Sequence, residues 1–378
     1  MTPEVRMTPE VLTELSAGGV SLWLDDLDRS RLDSSQGERS LRHLIERRAI
    51  RGVTTNPTIF DRAVGSGSAL YVNQLRDLAR AGLDTDDAIR VVTTDDVRAA
   101  CDVLLPVWEA TGGLDGRVSI EVDPRLAHET DATVTQAQEL WSVVERPNAM
   151  IKIPATQAGL PAITRTLAAG ISVNVTLIFS VDRYREVMAA HLRGLQQAHA
   201  AGIDLAGIES VASFFVSRVD TAIDAQLDSM SDPRASTLRG QAAIANARLA
   251  WAAYESHTAS DEWWQLSASG ARSQRPLWAS TGVKDPAYDP ARYVVELAAP
   301  GCVNTVPEAT LQAVAESGAY QGETMSGRAE TAATIVAELS DVGIDIQAVC
   351  QQLEDAGVAS FIDSWEKLRS TVASIMSS

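Results

Sequence analysis

Eight strand-like runs, most of them separated by stretches of helical periodicity, constrain this chain more than any other feature. They fall at 20–27, 50–57, 117–124, 149–156, 170–179, 208–217, 276–281 and 303–307, with amphipathic stretches at 40–48, 94–110, 131–144, 160–169, 181–201 and 307–317. Consecutive parallel strands need a crossover connection, and a helix supplies it. Strand and helix repeated eight times reads as an α/β fold, a (β/α)8 TIM barrel. A doubly wound open sheet is the runner-up, but no glycine-rich dinucleotide fingerprint opens any helix. Residues 233–274 are too long for a simple connector. They hold a helical pattern at 239–255 and an exposed-looking pair, Trp263 and Trp264, so they read as a helical insertion between strands six and seven. Residues 1–15 read as an N-terminal helix or extension, and 325–378 as a helical tail packed on the barrel. No Pro/Ser-rich or low-complexity stretch marks a linker, so 1–378 reads as a single domain.

Barrel strands alternate between the helix layer and the interior, and parallel strands buried on both faces normally read as continuous Val, Ile and Leu. Several strands here break that pattern. Ile151 and Ile153 share the outer face of strand four, which turns Lys152 inward. Strand three puts Val118, Ile120 and Val122 outward and Ser119 and Glu121 inward; strand five turns Ser172, Asn174 and Thr176 inward. Strand one turns Trp23 and Asp25 inward, and Asn56 stands just before Pro57, where strand two must end. Asp25, Asn56, Glu121, Lys152, Asn174 and Thr176 thus gather near the C-terminal strand ends, the face on which barrel enzymes carry their sites. A single buried polar residue is usually structural. Six of them, with a lysine and two carboxylates, are poor core filler, because each needs a partner in a dry interior. A buried lysine either finds a carboxylate or loses its proton, and a neutral lysine attacks carbonyls to form a Schiff base.

The later strands supply cations. Ser213-Phe214-Phe215-Val216-Ser217-Arg218 ends strand six, and Ala279-Ser280-Thr281-Gly282-Val283-Lys284 follows strand seven. Arg218 and Lys284 beside Ser and Gly backbone donors suit a phosphate. The plainer alternatives are a surface salt bridge from Arg218 to Asp220 or Asp224, and a solvated turn lysine at Lys284 beside Asp285. A net charge of −18 argues against nucleic acid and anionic membranes but leaves room for a small phosphorylated substrate. Cys101, Cys302 and Cys350 suit a reducing compartment, and the absence of an apolar signal region or membrane-length run points to the cytoplasm. The five histidines form no ligand spacing, and His191 and His199 read as two exposed side chains on one helix. Neither a metal nor a cofactor is expected.

These residues resemble the transaldolase family, and the longer actinobacterial-type enzymes in particular, over nearly the whole chain. The stretches that carry the resemblance are Trp-Leu-Asp-Asp-Leu (23–27), Gly-Val-Thr-Thr-Asn-Pro-Thr-Ile-Phe (52–60), Ser-Ile-Glu-Val-Asp-Pro (119–124), Ile-Lys-Ile-Pro-Ala-Thr (151–156), Asn-Val-Thr-Leu-Ile-Phe-Ser (174–180) and the two cation-bearing motifs above. The resemblance implies a Schiff-base enzyme moving a dihydroxyacetone unit between sugar phosphates. Sedoheptulose 7-phosphate and glyceraldehyde 3-phosphate would exchange with erythrose 4-phosphate and fructose 6-phosphate. It implies Lys152 as the Schiff-base lysine, Asp25 as acid/base for C3–C4 cleavage, and Glu121 with Thr176 holding the water that shuttles protons. Asn56 and Asn174 would bind the dihydroxyacetone moiety, Ser213 would lie at the substrate, Phe215 would shape the wall, and Arg218 would bind phosphate. Many relatives read Ala-Ser-Phe-Arg after strand seven. Here Lys284, beyond Ser280 and a loop two residues longer, stands in for that arginine, giving a point charge without a bidentate fork. An aldolase that releases dihydroxyacetone to water is the near alternative. Such relatives carry glutamine where Glu121 stands and tyrosine where Phe215 stands. A silent sugar-phosphate-binding barrel is the remote one. A monomer or homodimer is expected.

Overall fold

The computed structural model describes residues 9–378. Its strands are β1 (Ser21–Leu24), β2 (Ile50–Thr54), β3 (Arg117–Glu121), β4 (Ala149–Pro154), β5 (Val173–Ile178), β6 (Ser210–Phe215), β7 (Arg275–Ala279) and β8 (Val303–Val306). They form a closed barrel in sequence order, with β8 pairing parallel to β1. Most strands are shorter than their sequence runs, because the chain leaves the sheet at the C-terminal ends to build the mouth. Strand two shows why: Pro57 has no N–H for a ladder but suits the first turn of the helix Pro57–Gly65.

The barrel floor is polar. Trp23 points inward and donates its indole N–H to Asp115 at 3.2 Å, while Arg275 reaches the same carboxylate at 2.9 Å. Gly52 makes room for this ring, since a Cβ there would stand 2.6 Å from it. Arg117 donates to the Gly113 carbonyl at 2.9 Å and to Ser172 Oγ at 3.2 Å. This plug of paired charges closes the N-terminal end and leaves the C-terminal end as the open one.

The chain between β6 and β7 carries the helices Ser217–Asp228, Ala235–Leu238, Ala242–Thr258 and Asp261–Ala268. The tryptophan pair expected to be exposed is split: Trp264 is 69% exposed, whereas Trp263 is buried. Trp263 stacks on His191, with ring centroids 5.9 Å apart. His191 is therefore buried, not exposed, because the helix Asp261–Ala268 lies over its face of Val181–Ala200; His199 is exposed. Of the expected N-terminal helix, residues 1–8 lie outside the described residues, and Glu10–Ala17 is helical.

The C-terminal segment folds into Ala329–Asp341 and the 31-residue helix Ile346–Met376. The long helix packs on Pro57–Gly65, Ala69–Arg80, Thr85–Ala110 and Ser217–Asp228 and reaches β5. It crosses the open end of the barrel, a placement that the expectation of a packed tail did not contain. Among the described residues no helix is long and apolar enough to cross a membrane.

Candidate active site

Strand alternation and parallel register bring the polar interior together in layers. Glu121 on β3, Lys152 on β4 and Asn174 on β5 are successive Cα partners across three neighbouring strands. Just below, Asn174 donates its amide to Ser119 Oγ at 3.0 Å and accepts from Ser213 Oγ at 2.7 Å. Asn174 and Ser213 are thus held in fixed rotamers, although Asn174 lies beneath the cavity surface.

Above them opens a cavity of about 530 Å³. Of the residues singled out by sequence it is lined by Asp25, Asn56, Lys152, Thr176, Ser213, Phe215, Arg218, Ser280 and Lys284. Glu121 lies behind Lys152 and lines a smaller side cavity of about 200 Å³ together with Asn56, Thr93, Gln136 and Trp365.

Lys152 is 4% exposed and donates from Nζ to the Thr55 carbonyl at 3.1 Å. Its Nζ lies 3.2 Å from Glu121 Oε2. That approach is an ion contact without hydrogen-bond alignment, so Oε2 keeps its lone pairs for another donor. Burial pushes the Glu121 carboxyl up to about 7, against the lowering pull of Lys152. Thr176 Oγ1 is likewise buried with no partner among the described residues. Asp25 follows β1 directly and accepts from Thr54 Oγ1 at 2.8 Å, and Thr54 Oγ1 touches Thr305 Oγ1 at 2.6 Å. Burial raises the Asp25 pKa, while Lys152 and the Thr54 hydrogen bond oppose the rise. Asn56 spends its side-chain carbonyl on capping the helix Pro57–Gly65, accepting from Ile59 N at 3.0 Å, which leaves its amide N–H groups for the cavity.

The anion end of the cavity is equally specific. Asp220 and Asp224, the carboxylates that could have held Arg218, are taken by the hydroxyls of Tyr293 and Tyr288 and by the N–H groups of Ala243 and Gly240. The Arg218 guanidinium lies 5.5 Å from the Phe215 ring centroid, and burial lowers its pKa. Asp285 accepts from Arg239 at 2.7 Å, so it does not neutralise Lys284. Between the two cations Ser217 and Ser280 join their hydroxyls at 3.0 Å, with Ser280 held at φ 55°.

Sequence reasoning missed other lining residues. Arg31, Arg39 and Arg62 add cations, but Arg31 and Arg62 are paired with Asp26 at 2.5 and 2.7 Å, Arg31 also with Glu308 at 2.7 Å, and Arg39 stands 4.0 Å from Glu308. Their position in the helical segments that directly follow β1 and β2 is the signal that could have found them, since the connections after barrel strands line the mouth. Phe361, from the C-terminal helix, stands with its ring centroid 5.8 Å from Lys152 Nζ. Among the described residues no group of three or more His, Cys, Asp or Glu could hold a metal ion.

A buried amine beside a carboxylate of raised pKa, at the C-terminal face of a (β/α)8 barrel, defines the class of Schiff-base barrel enzymes. The chain belongs to the Transaldolase/Fructose-6-phosphate aldolase family, whose profile matches residues 22–372. It is 57% identical over 369 residues to Transaldolase 1 of Streptomyces avermitilis, covering 98% of this chain and 96% of that one. It is 57% identical over 358 residues to Transaldolase of Mycobacterium tuberculosis, covering 94% of this chain and 95% of the relative. The Transaldolase of Mycolicibacterium smegmatis is 57% identical over 357 residues, again with 94% and 95% coverage.

Proposed function

We propose that this chain is a transaldolase that carries a dihydroxyacetone unit from a ketose phosphate to an aldose phosphate as an imine on Lys152. One observation carries the reading: the Lys152 amine is buried, held between the Thr55 carbonyl and Glu121, and opens into a cavity that also holds Arg218 and Lys284, neither in an ion pair among the described residues. In this reading the neutral amine adds to the donor ketone. Glu121 and Thr176, whose Oε2 and Oγ1 have no hydrogen-bond partner among the described residues, hold the water that moves protons as the carbinolamine loses hydroxide. Asp25 takes the proton from the C4 hydroxyl, the C3–C4 bond breaks, and the electron pair enters the imine as an enamine. The aldose phosphate leaves. An acceptor aldehyde takes its place, the enamine carbon attacks it, and Asp25 returns the proton to the new hydroxyl. Hydrolysis of the imine frees the new ketose phosphate.

Asn56, Asn174 and Ser213 bind the hydroxyls of the three-carbon unit. Arg218, Ser280 and Lys284 bind the phosphate, and Phe215 forms the wall between the two ends. Glutamate at 121 and phenylalanine at 215 support transfer over release to water. The chain acts as one barrel domain, with 233–274 as an insertion and 325–378 as a C-terminal cover, in the cytoplasm. The test is turnover of fructose 6-phosphate with and without erythrose 4-phosphate. The reading expects sedoheptulose 7-phosphate with the acceptor and little free dihydroxyacetone without it. Fast release without the acceptor would make the chain an aldolase, and no turnover in either case would leave a binding barrel.

A further inference from the structure

The C-terminal helix Ile346–Met376 presents an unusual face to the barrel. Glu354, Gly357, Phe361 and Ser364 recur at helical spacing and are all buried or nearly so, yet only one is a large apolar residue. Each has a specific partner around the catalytic end. Glu354 pairs with Arg183 at 3.1 Å, both side chains being 9% exposed. Ser364 and Thr58 join their hydroxyls at 2.8 Å, tying the helix to the start of Pro57–Gly65 beside Asn56. Gly357 lies on Leu177, the residue after Thr176. A Cβ at 357 would stand 2.9 Å from Leu177 Cδ2. Leu177 is itself held at φ 60°, where a leucine is rarely found, and the β5–β6 register shifts around it. A glycine in mid-helix and a leucine in the left-handed region both cost stability, and together they let the helix lie close on β5. One turn beyond Gly357 and three residues before Ser364, Phe361 enters the cavity, 4% exposed, with its ring 5.8 Å from Lys152 Nζ.

We propose that Phe361, set in place by Gly357 and Ser364, shuts water other than the one held by Glu121 and Thr176 away from the enamine on Lys152 between donor cleavage and acceptor arrival, and so favours transfer over hydrolysis. The inference rests on the imine reading above. After cleavage the enamine has two exits. In transfer its carbon bonds to the acceptor aldehyde. In the leak that carbon takes a proton from water, giving the iminium of dihydroxyacetone. Water then adds its oxygen to the iminium carbon, the carbon–nitrogen bond breaks, and free dihydroxyacetone and the Lys152 amine result. Every step of the leak consumes water at the group carried by Lys152, and the Phe361 ring occupies cavity space 5.8 Å from Nζ that water would otherwise fill.

The experiment compares wild type with Phe361→Ala, Phe361→Leu and Gly357→Ala in two assays. One follows dihydroxyacetone released from fructose 6-phosphate alone; the other follows sedoheptulose 7-phosphate formed when erythrose 4-phosphate is present. Borohydride trapping at Lys152 is measured in all four. The ratio of release to transfer is expected to rise about tenfold in Phe361→Ala, with trapping retained, as water enters the space the ring vacates. Phe361→Leu, which keeps most of the bulk and the fold, should raise it less. Gly357→Ala, which pushes the helix off Leu177, should raise it without touching the cavity wall. Equal loss of both activities with an unchanged ratio, in Phe361→Ala or in Phe361→Leu if the alanine variant does not fold, overturns the proposal and leaves Phe361 a packing residue. If wild type traps nothing at Lys152, the imine reading fails first and takes this inference with it; if wild type traps normally and the ratio does not move, only this inference fails.

Discussion

Arg218→Ala separates binding from structure at the anion site. The guanidinium lies on the cavity wall over Phe215; Asp220 and Asp224, the carboxylates near it in sequence, are already engaged by tyrosine hydroxyls, and Asp25 acts on it through space without an ion pair among the described residues. Its pKa is lowered by burial, the mark of a charge that the folded protein holds without a sufficient partner. A phosphate supplies that partner. One charge-assisted hydrogen bond contributes about 1.5–3 kcal/mol, which is about 10- to 150-fold in kcat/KM for a phosphorylated donor. The apo protein loses no ion pair, so its unfolding free energy should stay within about 1 kcal/mol of wild type. Steady-state kinetics with fructose 6-phosphate and with non-phosphorylated fructose, alongside denaturant unfolding, give the comparison. The loss should fall on the phosphorylated donor alone. An equal loss on both donors, or a large drop in stability, would refute the reasoning and make Arg218 structural.

Other outcomes follow from buried titrating groups. The Glu121 carboxyl, raised to about 7 by burial, accepts a proton from the water of the proposed mechanism only when ionised, so that mechanism expects kcat/KM to fall about tenfold per unit as pH drops below that value. Glu121→Gln should be slow at every pH and lack this limb; an unchanged acid limb in that variant would assign it elsewhere. His191 is held neutral, its pKa lowered to about 3 by burial and by His257. The unfolded chain binds this proton below about 6.5 and the folded one does not, so its contribution to stability is full above that pH and lost as pH falls toward 3. The slope is about 1.4 kcal/mol per unit, and His191→Phe should flatten it in urea melts taken at pH 7 and pH 5; parallel curves for the two proteins would show that His191 is not the group responsible.

How much of this was readable beforehand depends on how local the cause is. Alternation alone turned Ser119, Glu121, Lys152, Asn174 and Thr176 to the interior, because a buried parallel strand has two faces and the aliphatic residues occupy one. The same rule reads Leu177 as an ordinary outward residue; the structure bends the strand there, to φ 60°, for a helix that arrives 180 positions later in the chain, at Gly357. Phe361 carries no sequence signal for the same reason: its helix face is small and polar at its centre, and what it covers is set by tertiary packing. Trp263 and Trp264 look alike in sequence and part only when a second helix supplies His191 as a surface for one of them. The free state of Arg218 and Lys284 was undecidable from pattern, since Asp220 and Asp285 are close in sequence and their partners, Tyr293 and Arg239, are not.

The central claim is that the reaction passes through Lys152, and borohydride reduction during turnover tests it most directly. With fructose 6-phosphate present, the protein should lose activity and gain one dihydroxyacetone-derived mass on the peptide that contains Lys152. Lys152→Arg should fold, resist labelling and be inactive, because a guanidinium does not give up its proton. Label on Lys284 or Lys367 instead, or steady turnover undisturbed by borohydride, would contradict the account.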